Sequence, residues 1–332
     1  MRTGRLVFIP FLLAVVVAAA TNLVGKTLAK PQTRVVAFDR STSATPVAFD
    51  IRRESYAILH NALPVDRRER TQRRRQHLQD IVRNHKRLHK HPILPLMYNG
   101  SPSPKAVLDL HRDFQYLTKC FTDQITLIAL GTRELRPKFG DDVAMAARFL
   151  VFLNLLDELG FHPGVGEYRG SPMMSHHMLF TDVLAELSTK ACGGCADNEN
   201  SNQDQAAKHS SKLLGLIDDS NLLSVLAYLI VTEEEAMVFS PAMRCATANT
   251  GINVDNGYYV VHGSSDDNSS NACDDFHQND GWEILELLMD SMNEEEFKVV
   301  ETMIVDFLDA WCCFWDSHYE NMKSKTRTTE IA

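Results

Sequence analysis

The sequence contains one long hydrophobic run, Leu6 to Ala20, and lacks a second run long enough to cross a bilayer. At most one membrane span is therefore expected. The run follows Arg2 and Arg5 and ends in three alanines, a pattern typical of an export signal. We expect residues 1–20 to be a signal peptide, which would make the protein secreted or lumenal within the endomembrane system. A short uncleaved membrane anchor or an organelle presequence is the alternative interpretation.

Paired cysteine motifs are also scarce. The chain has 7 cysteines, an odd number, and only Cys192 and Cys195 form a Cys-x-x-Cys motif. A structural zinc site usually needs four ligands, so the absence of a second such motif argues against one. A disulfide within a loop, or free thiols, remain the simpler interpretations.

The most basic part of the chain lacks an aromatic ladder and any recognised nucleic-acid-binding module. Residues 52–91 contain twelve Lys and Arg against four Asp and Glu, within a chain of net charge −9. We expect residues 21–98 to form a tether and a solvated basic helical arm, with no nucleic-acid partner. A weak contact between this arm and an anionic surface is the alternative. Four prolines between residues 92 and 104 then mark a domain boundary.

Strand-like alternation is nearly absent after residue 104, where apolar residues instead recur at helical spacing. The predicted class is an all-α bundle spanning residues 99–325, with polar insertions near 190–208 and 247–273. Its last helix is expected to bury Trp315 and to leave His318 at the surface. The predicted helices after the first, which starts near residue 104, are Asp141–Gly160, Pro172–Thr189, Leu222–Phe239, Asp274–Met292 and Glu294–Met322.

Carboxylates and imidazoles interrupt these apolar helices in a regular order along the chain. Each alone is typical of a solvated acid or a core histidine, but together they give acid, histidine, acid and then two more histidines on successive helices. Such ligands, without thiolates, suit non-haem iron or manganese. A bundle core commonly holds two such ions between facing helices. The residues concerned are Asp157 and Glu158, His176, the run Glu233 to Glu235, His262, and Asp274 with His277.

The segment Asn154-Leu-Leu-Asp-Glu158-Leu-Gly, followed by His-x-x-Leu-Phe at His176, resembles the haem-oxygenase-like di-iron oxidases and the wider iron-containing redox enzymes. The resemblance covers roughly residues 100–322 and implies a haem-oxygenase-like seven-helix bundle. It also implies a set of metal ligands, in which Glu234 is our choice among the three consecutive glutamates. The first acid is open: Asp123 and Gln124 stand at about its place, Glu134 lies just beyond, and Asp123 is included below. The implied ligands are Asp123, Glu158, His176, Glu234, His262, Asp274 and His277.

The spacing departs from the family pattern at two places. Seventeen residues separate Glu158 from His176, more than is usual in the family. His262 stands 12 positions before Asp274, because an insertion splits the histidine-containing motif. His262 is therefore either a ligand on a loop or not a ligand.

The resemblance implies an oxidase or oxygenase with two non-haem iron ions, dioxygen as co-substrate and a small organic substrate. Three other hypotheses remain open. The chain could be a catalytically silent, secreted helical bundle that acts through interactions. It could be a metal-free, thiaminase-like hydrolase with Cys120 as nucleophile, or a haem-binding oxygenase with His111 as the axial ligand.

Overall fold

The computed structural model describes most of the chain, and the described residues are predominantly helical. The all-α expectation is confirmed at this level, and one short antiparallel hairpin interrupts it. The predicted signal peptide and most of the first insertion lie outside the described residues. Among the described residues, no helix combines the length and apolarity needed to span a bilayer. The structure describes residues 45–99, 102–163, 168–192, 210–262 and 273–326.

Between α7 and α8, strand β1 (Phe161–Pro163) pairs with strand β2 (Tyr168–Gly170). The helices are α1 (Thr45–Asn61), α2 (Val65–Arg83), α3 (Lys86–His89), α4 (Ile93–Tyr98), α5 (Pro104–Gly131), α6 (Arg136–Phe139), α7 (Asp141–Glu158), α8 (His176–Cys192), α9 (Leu222–Asn249), α10 (Tyr258–Val261), α11 (Cys273–Met289) and α12 (Glu294–Thr326).

Local sequence signals explain where the two long core helices begin. Helix α5 begins after Ser103, whose side chain accepts a hydrogen bond from the Ala106 amide, and Pro104 occupies its first turn. Helix α9 begins after Asn221, whose side chain accepts from the Leu223 amide. Helix α9 does not end near Phe239 as predicted; it continues through Pro241 to Asn249.

Aromatic side chains fill the centre of the bundle. Trp311 and Trp315 on α12 are fully buried, and Trp315 stacks on Phe239 of α9 with ring centroids 4.0 Å apart. Each such side chain contributes at least about 1.5–3 kcal/mol by leaving water. His318, expected at the surface, is buried instead, because its ring packs against Phe314 and contacts the Asp113 carboxylate.

The basic segment is not a solvated arm, contrary to the sequence-based expectation. Helices α1 and α2 pack against the bundle, and arginines of α2 pair with carboxylates of α11 and α12 or of the turn between them. Arg75 contacts Glu283 at 2.6 Å, and Arg67 pairs with the buried Asp290. Residues 40–332 cluster as one compact unit, so the predicted boundary near residue 98 does not separate two domains. The local charge excess is compensated within the protein.

Candidate metal centre

The end of α7 is built so that the chain turns back close to its own helix. Gly160 follows α7 with a φ of 84°, a conformation that L side chains rarely adopt. A Cβ at this position would lie 2.5 Å from the backbone of Ser171 and of Ser175, so only glycine fits. The close approach brings the start of α8 beside the last turn of α7. Glu158 and His176 are thereby placed together.

Glu158, His176 and His262 form the first of two contacting groups. Glu158 Oε1 lies 2.9 Å from His176 Nδ1, and both side chains are buried. The His176 ring lies 4.6 Å from the His262 ring, measured between centroids. His262 directly follows the last residue of α10, and its ring also packs on Tyr258. His262 therefore belongs to this group, although an insertion separates it from Asp274 in the sequence.

Asp157, Glu233 and His277 form the second group. His277 Nε2 lies 3.1 Å from Asp157 Oδ2, and its Nδ1 lies 3.4 Å from Glu233 Oε1. The three residues come from α7, α9 and α11, which meet at this point. His277 is completely buried, so both ring nitrogens face carboxylates away from water.

Electrostatics connect the two groups. Burial raises the pKa of Glu158, but the imidazoles of His176, His262 and His277 together lower it by more than burial raises it. The pKa of Glu158 therefore lies below its ordinary value. Burial lowers the pKa of His277, whereas hydrogen bonds and charge interactions with Asp157 and Glu233 raise it well above its ordinary value. The arrangement therefore favours an ionised Glu158 and a protonated His277.

The donor set of these six residues fits a pair of iron ions chemically. It comprises three carboxylates and three imidazoles with no thiolate, and carboxylate and imidazole are the ligands that non-haem iron prefers. Within the part of the chain that the structure describes, no three or more His, Cys, Asp or Glu side chains surround one point as metal ligands would. The acids and imidazoles contact one another instead, so the site as described is a cluster of paired acids and imidazoles.

Two of the predicted ligands lie elsewhere. Glu234 is directed away from His277; its carboxylate lies 3.2 Å from His89 Nε2 and accepts a 2.9 Å hydrogen bond from Gln278. Asp123 is exposed on α5, on the opposite side of that helix from its core-facing residues. Asp274 lies on α11 one turn before His277, but its side chain is outside the described residues.

Asp157 and Glu233 were not among the predicted ligands, although Asp157 and the glutamate run stand out in the sequence. A signal was available for Asp157, because it directly precedes Glu158 at the end of the same apolar helix. For Glu233 no such signal existed. Consecutive helical residues differ by about 100° in direction, and only the neighbouring helices decide which of three glutamates faces the centre.

The structure gives little support to the nucleophile and haem hypotheses. Burial raises the pKa of the Cys120 thiol, which disfavours the thiolate that a nucleophile requires. His111 has both ring nitrogens engaged, Nδ1 with the Val107 carbonyl at 2.7 Å and Nε2 with the Tyr259 hydroxyl at 2.6 Å. Neither nitrogen is left to bind a haem iron.

Comparison with known proteins adds no assignment. No protein-family model matches the chain, and no curated protein matches it.

Proposed function

We propose that the protein is a non-haem di-iron oxidase or oxygenase that acts on a small organic substrate. The single observation that supports this most strongly is the meeting of Asp157, Glu158, His176, Glu233 and His277 from four helices inside an apolar bundle. Burying so many ionisable groups is costly unless they are paired or bind a metal. The proposal includes the haem-oxygenase-like arrangement of seven helices that the sequence resemblance implies.

The contacts suggest how the ligands would be shared between two ions. Glu158, His176 and His262 would hold one ion, and Asp157, Glu233 and His277 would hold the other. When bound, a pair of ferrous ions supplies the electrons that dioxygen activation needs. Because Asp157 and Glu158 are consecutive, the end of α7 would connect the two positions.

The residues of this chain have further tasks in such a reaction. The carboxylates of Asp157, Glu158 and Glu233 would provide negative charge that offsets most of the charge of two divalent cations. His277 must release at least one proton before it can act as a ligand, and the proton passes to the solvent, because Asp157, 3.1 Å away, must itself stay ionised to bind the ion. The burial of Glu158, His176, Glu233 and His277 limits the access of water to the centre.

A catalytically silent bundle is the second candidate, and one observation favours it. His277 lies between two carboxylates, and this ion-paired arrangement is already complete without a metal. In that case the six residues would serve only to specify how the helices pack. The protein would then act through its surface as a secreted interaction partner.

A pair of adjacent variants tests the proposal. Glu233→Gln and Glu234→Gln each remove one carboxylate charge from neighbouring positions of α9, but only Glu233 contacts His277. We expect Glu233→Gln to weaken Fe(II) binding roughly tenfold or more. Glu234→Gln is expected to bind Fe(II) as the wild type does. The measurement is an anaerobic Fe(II) titration, with the melting temperature of each variant as a control for folding.

Equal iron affinity in the two variants would rule out Glu233 as a ligand. If the wild type itself binds no iron, the oxidase proposal fails and the silent bundle is favoured.

A further inference from the structure

Arg52 is a buried arginine that reaches the candidate metal centre from outside the segment that resembles the oxidase family. It lies on α1 and is only 4% exposed. Its Nε donates a 2.9 Å hydrogen bond to Asp280, and its terminal Nη2 donates a 3.2 Å hydrogen bond to Asn154. A single guanidinium thus connects α11 with α7.

The two partners of Arg52 stand one helical turn from residues of the candidate centre. Asn154 precedes Asp157 by three positions on α7, and Asp280 follows His277 by three positions on α11. Residues three apart lie on the same face of a helix. Asp157 and His277 are the pair that meet at 3.1 Å, so Arg52 bridges the same two helices directly beside that contact.

The bridge is reinforced by further contacts. The Tyr56 hydroxyl, one turn after Arg52 on α1, donates a 2.6 Å hydrogen bond to the other Asp280 oxygen. The Arg52 guanidinium lies 5.3 Å from the centroid of the Phe276 ring. Burial raises the pKa of Asp280 to about 6, although Arg52 and Tyr56 lower it. An arginine fork that satisfies a buried carboxylate and an amide oxygen together fixes both in orientation.

We propose that Arg52 is a positioning residue for the candidate metal centre, which holds α7 and α11 at the separation that keeps Asp157 and His277 together. The proposal rests on the proposed di-iron function for its iron readout. It gives α1, which was expected to belong to a tether and a solvated basic arm, a role in positioning residues of the centre. Partners of metal ligands that orient them commonly change metal affinity ten- to a hundredfold when removed.

The test compares Arg52→Gln with Arg53→Gln, which removes the same charge from the neighbouring exposed position. Two properties are measured in the full chain. One is the anaerobic Fe(II) affinity. The other, in metal-free protein, is the NMR signal of the His277 imidazole N–H that faces Asp157. Arg52→Gln is expected to lose the N–H signal and to bind Fe(II) at least about tenfold more weakly. Arg53→Gln is expected to change neither.

A second variant separates positioning from folding. Arg52→Gln leaves Asp280 buried without its cation, which destabilises the fold. The double variant Arg52→Gln/Asp280→Asn removes both charges and is expected to recover much of the melting temperature. Its iron affinity is expected to stay low, because the bridge to Asn154 is still missing.

The outcomes distinguish this inference from the proposed function. A wild-type N–H signal and iron affinity in Arg52→Gln would overturn the positioning role. Recovery of wild-type iron affinity in the double variant would also overturn it, because the loss would then follow from stability alone. If the wild type binds no iron, the di-iron proposal fails, and the N–H signal in the metal-free variants still decides whether Arg52 positions His277.

Discussion

Glu233, Glu234 and Glu235 are consecutive in the chain, yet each carboxylate contacts a different part of the protein. Glu233 faces His277, Glu234 faces His89, and Glu235 Oε1 accepts a 3.0 Å hydrogen bond from the Trp315 indole. The rotation of about 100° per residue separates them around α9. All three side chains are buried. Because each has a different partner, substitution of each is expected to affect a different contact.

Glu235→Ala is expected to destabilise the protein without affecting metal binding. The substitution leaves the buried Trp315 N–H without its acceptor and opens a small cavity. An unsatisfied buried donor costs about 1–3 kcal/mol. Urea unfolding is the measurement, and Glu320→Ala, at an exposed position of α12, is the control that we expect to change stability by less than about 0.5 kcal/mol. Equal stabilities of the two variants would contradict the contact.

At the scale of elements, the pairing of α2 with α11 and α12 depends on a buried acid. Asp290 lies just after α11 with a side chain that is fully buried, and it contacts Arg67, Arg70 and Lys138. Burial raises the pKa of Asp290, but Arg67 and Lys138 together lower it by more than burial raises it. The pKa of Asp290 therefore lies below its ordinary value. Helix α2 is thereby fastened to the bundle by an acid that stays ionised.

The stabilising effect of Asp290 is expected to depend on pH. A carboxyl whose pKa is lower in the folded state contributes stability above its unfolded pKa of about 3.9 and loses it as the pH falls through the folded value. Asp290→Asn should therefore lower the free energy of unfolding by about 1–2 kcal/mol at pH 7. This range allows for solvent screening, because the partners of Asp290 are partly exposed. The difference from wild type should shrink as the pH falls below about 4.

Urea unfolding of both proteins over this pH range checks the expectation. The exposed acid Asp309, which pairs with Arg87, gives the control: Asp309→Asn should change stability by less than about 1 kcal/mol. A cost for Asp290→Asn that is the same at pH 3 and pH 7 would show that the charge is not responsible.

The sequence predicted most elements, because apolar periodicity reports directly on which helix faces are buried. Helix α7 begins at Asp141 as predicted and ends within two residues of the predicted Gly160. The continuation of α9 past Phe239 could not be anticipated, since Pro241 normally interrupts a helix. The position of the basic segment was also missed. Its arginines carry no periodic apolar signal, and their acidic partners lie about 200 residues further along the chain.

The candidate metal centre could likewise be predicted only in part from the sequence. Glu158, His176 and His277 were predicted from the order of acids and histidines along the chain, and the structure places all three in the cluster. Asp123 was chosen by its position along α5, but its direction around the helix puts it on the exposed side. Position along a helix can be counted in a sequence, whereas direction depends on tertiary packing.

In the molecule as a whole, basic residues of the N-terminal helices pair with acidic residues of the bundle. The basic residues of α2 and α3 face the acidic residues of α11 and α12, as in the contacts of Arg75 with Glu283 and of Arg87 with Asp316. The segment that would otherwise repel itself is thereby held on the bundle.

Limited proteolysis with trypsin tests this arrangement. Residues 67–75 contain six arginines, and a solvated arm would be cleaved there first. We expect these sites to resist cleavage in the native protein, because trypsin needs a locally unfolded segment and α2 is packed on α11. The urea-unfolded chain is the control and should be cut at once. Rapid cleavage within residues 67–75 of the native protein would show that the segment is not held.

The proposed function requires that the buried acids and imidazoles bind metal and do not only specify how the helices pack. The most direct measurement is the iron content of the full chain after anaerobic Fe(II) loading and removal of unbound metal. We predict about two irons per chain, the stoichiometry of a two-ion site, and a lower iron content in Glu158→Ala and in His277→Ala, each of which removes a ligand of one ion. A wild-type chain that retains no iron, while remaining folded, would contradict the proposed function.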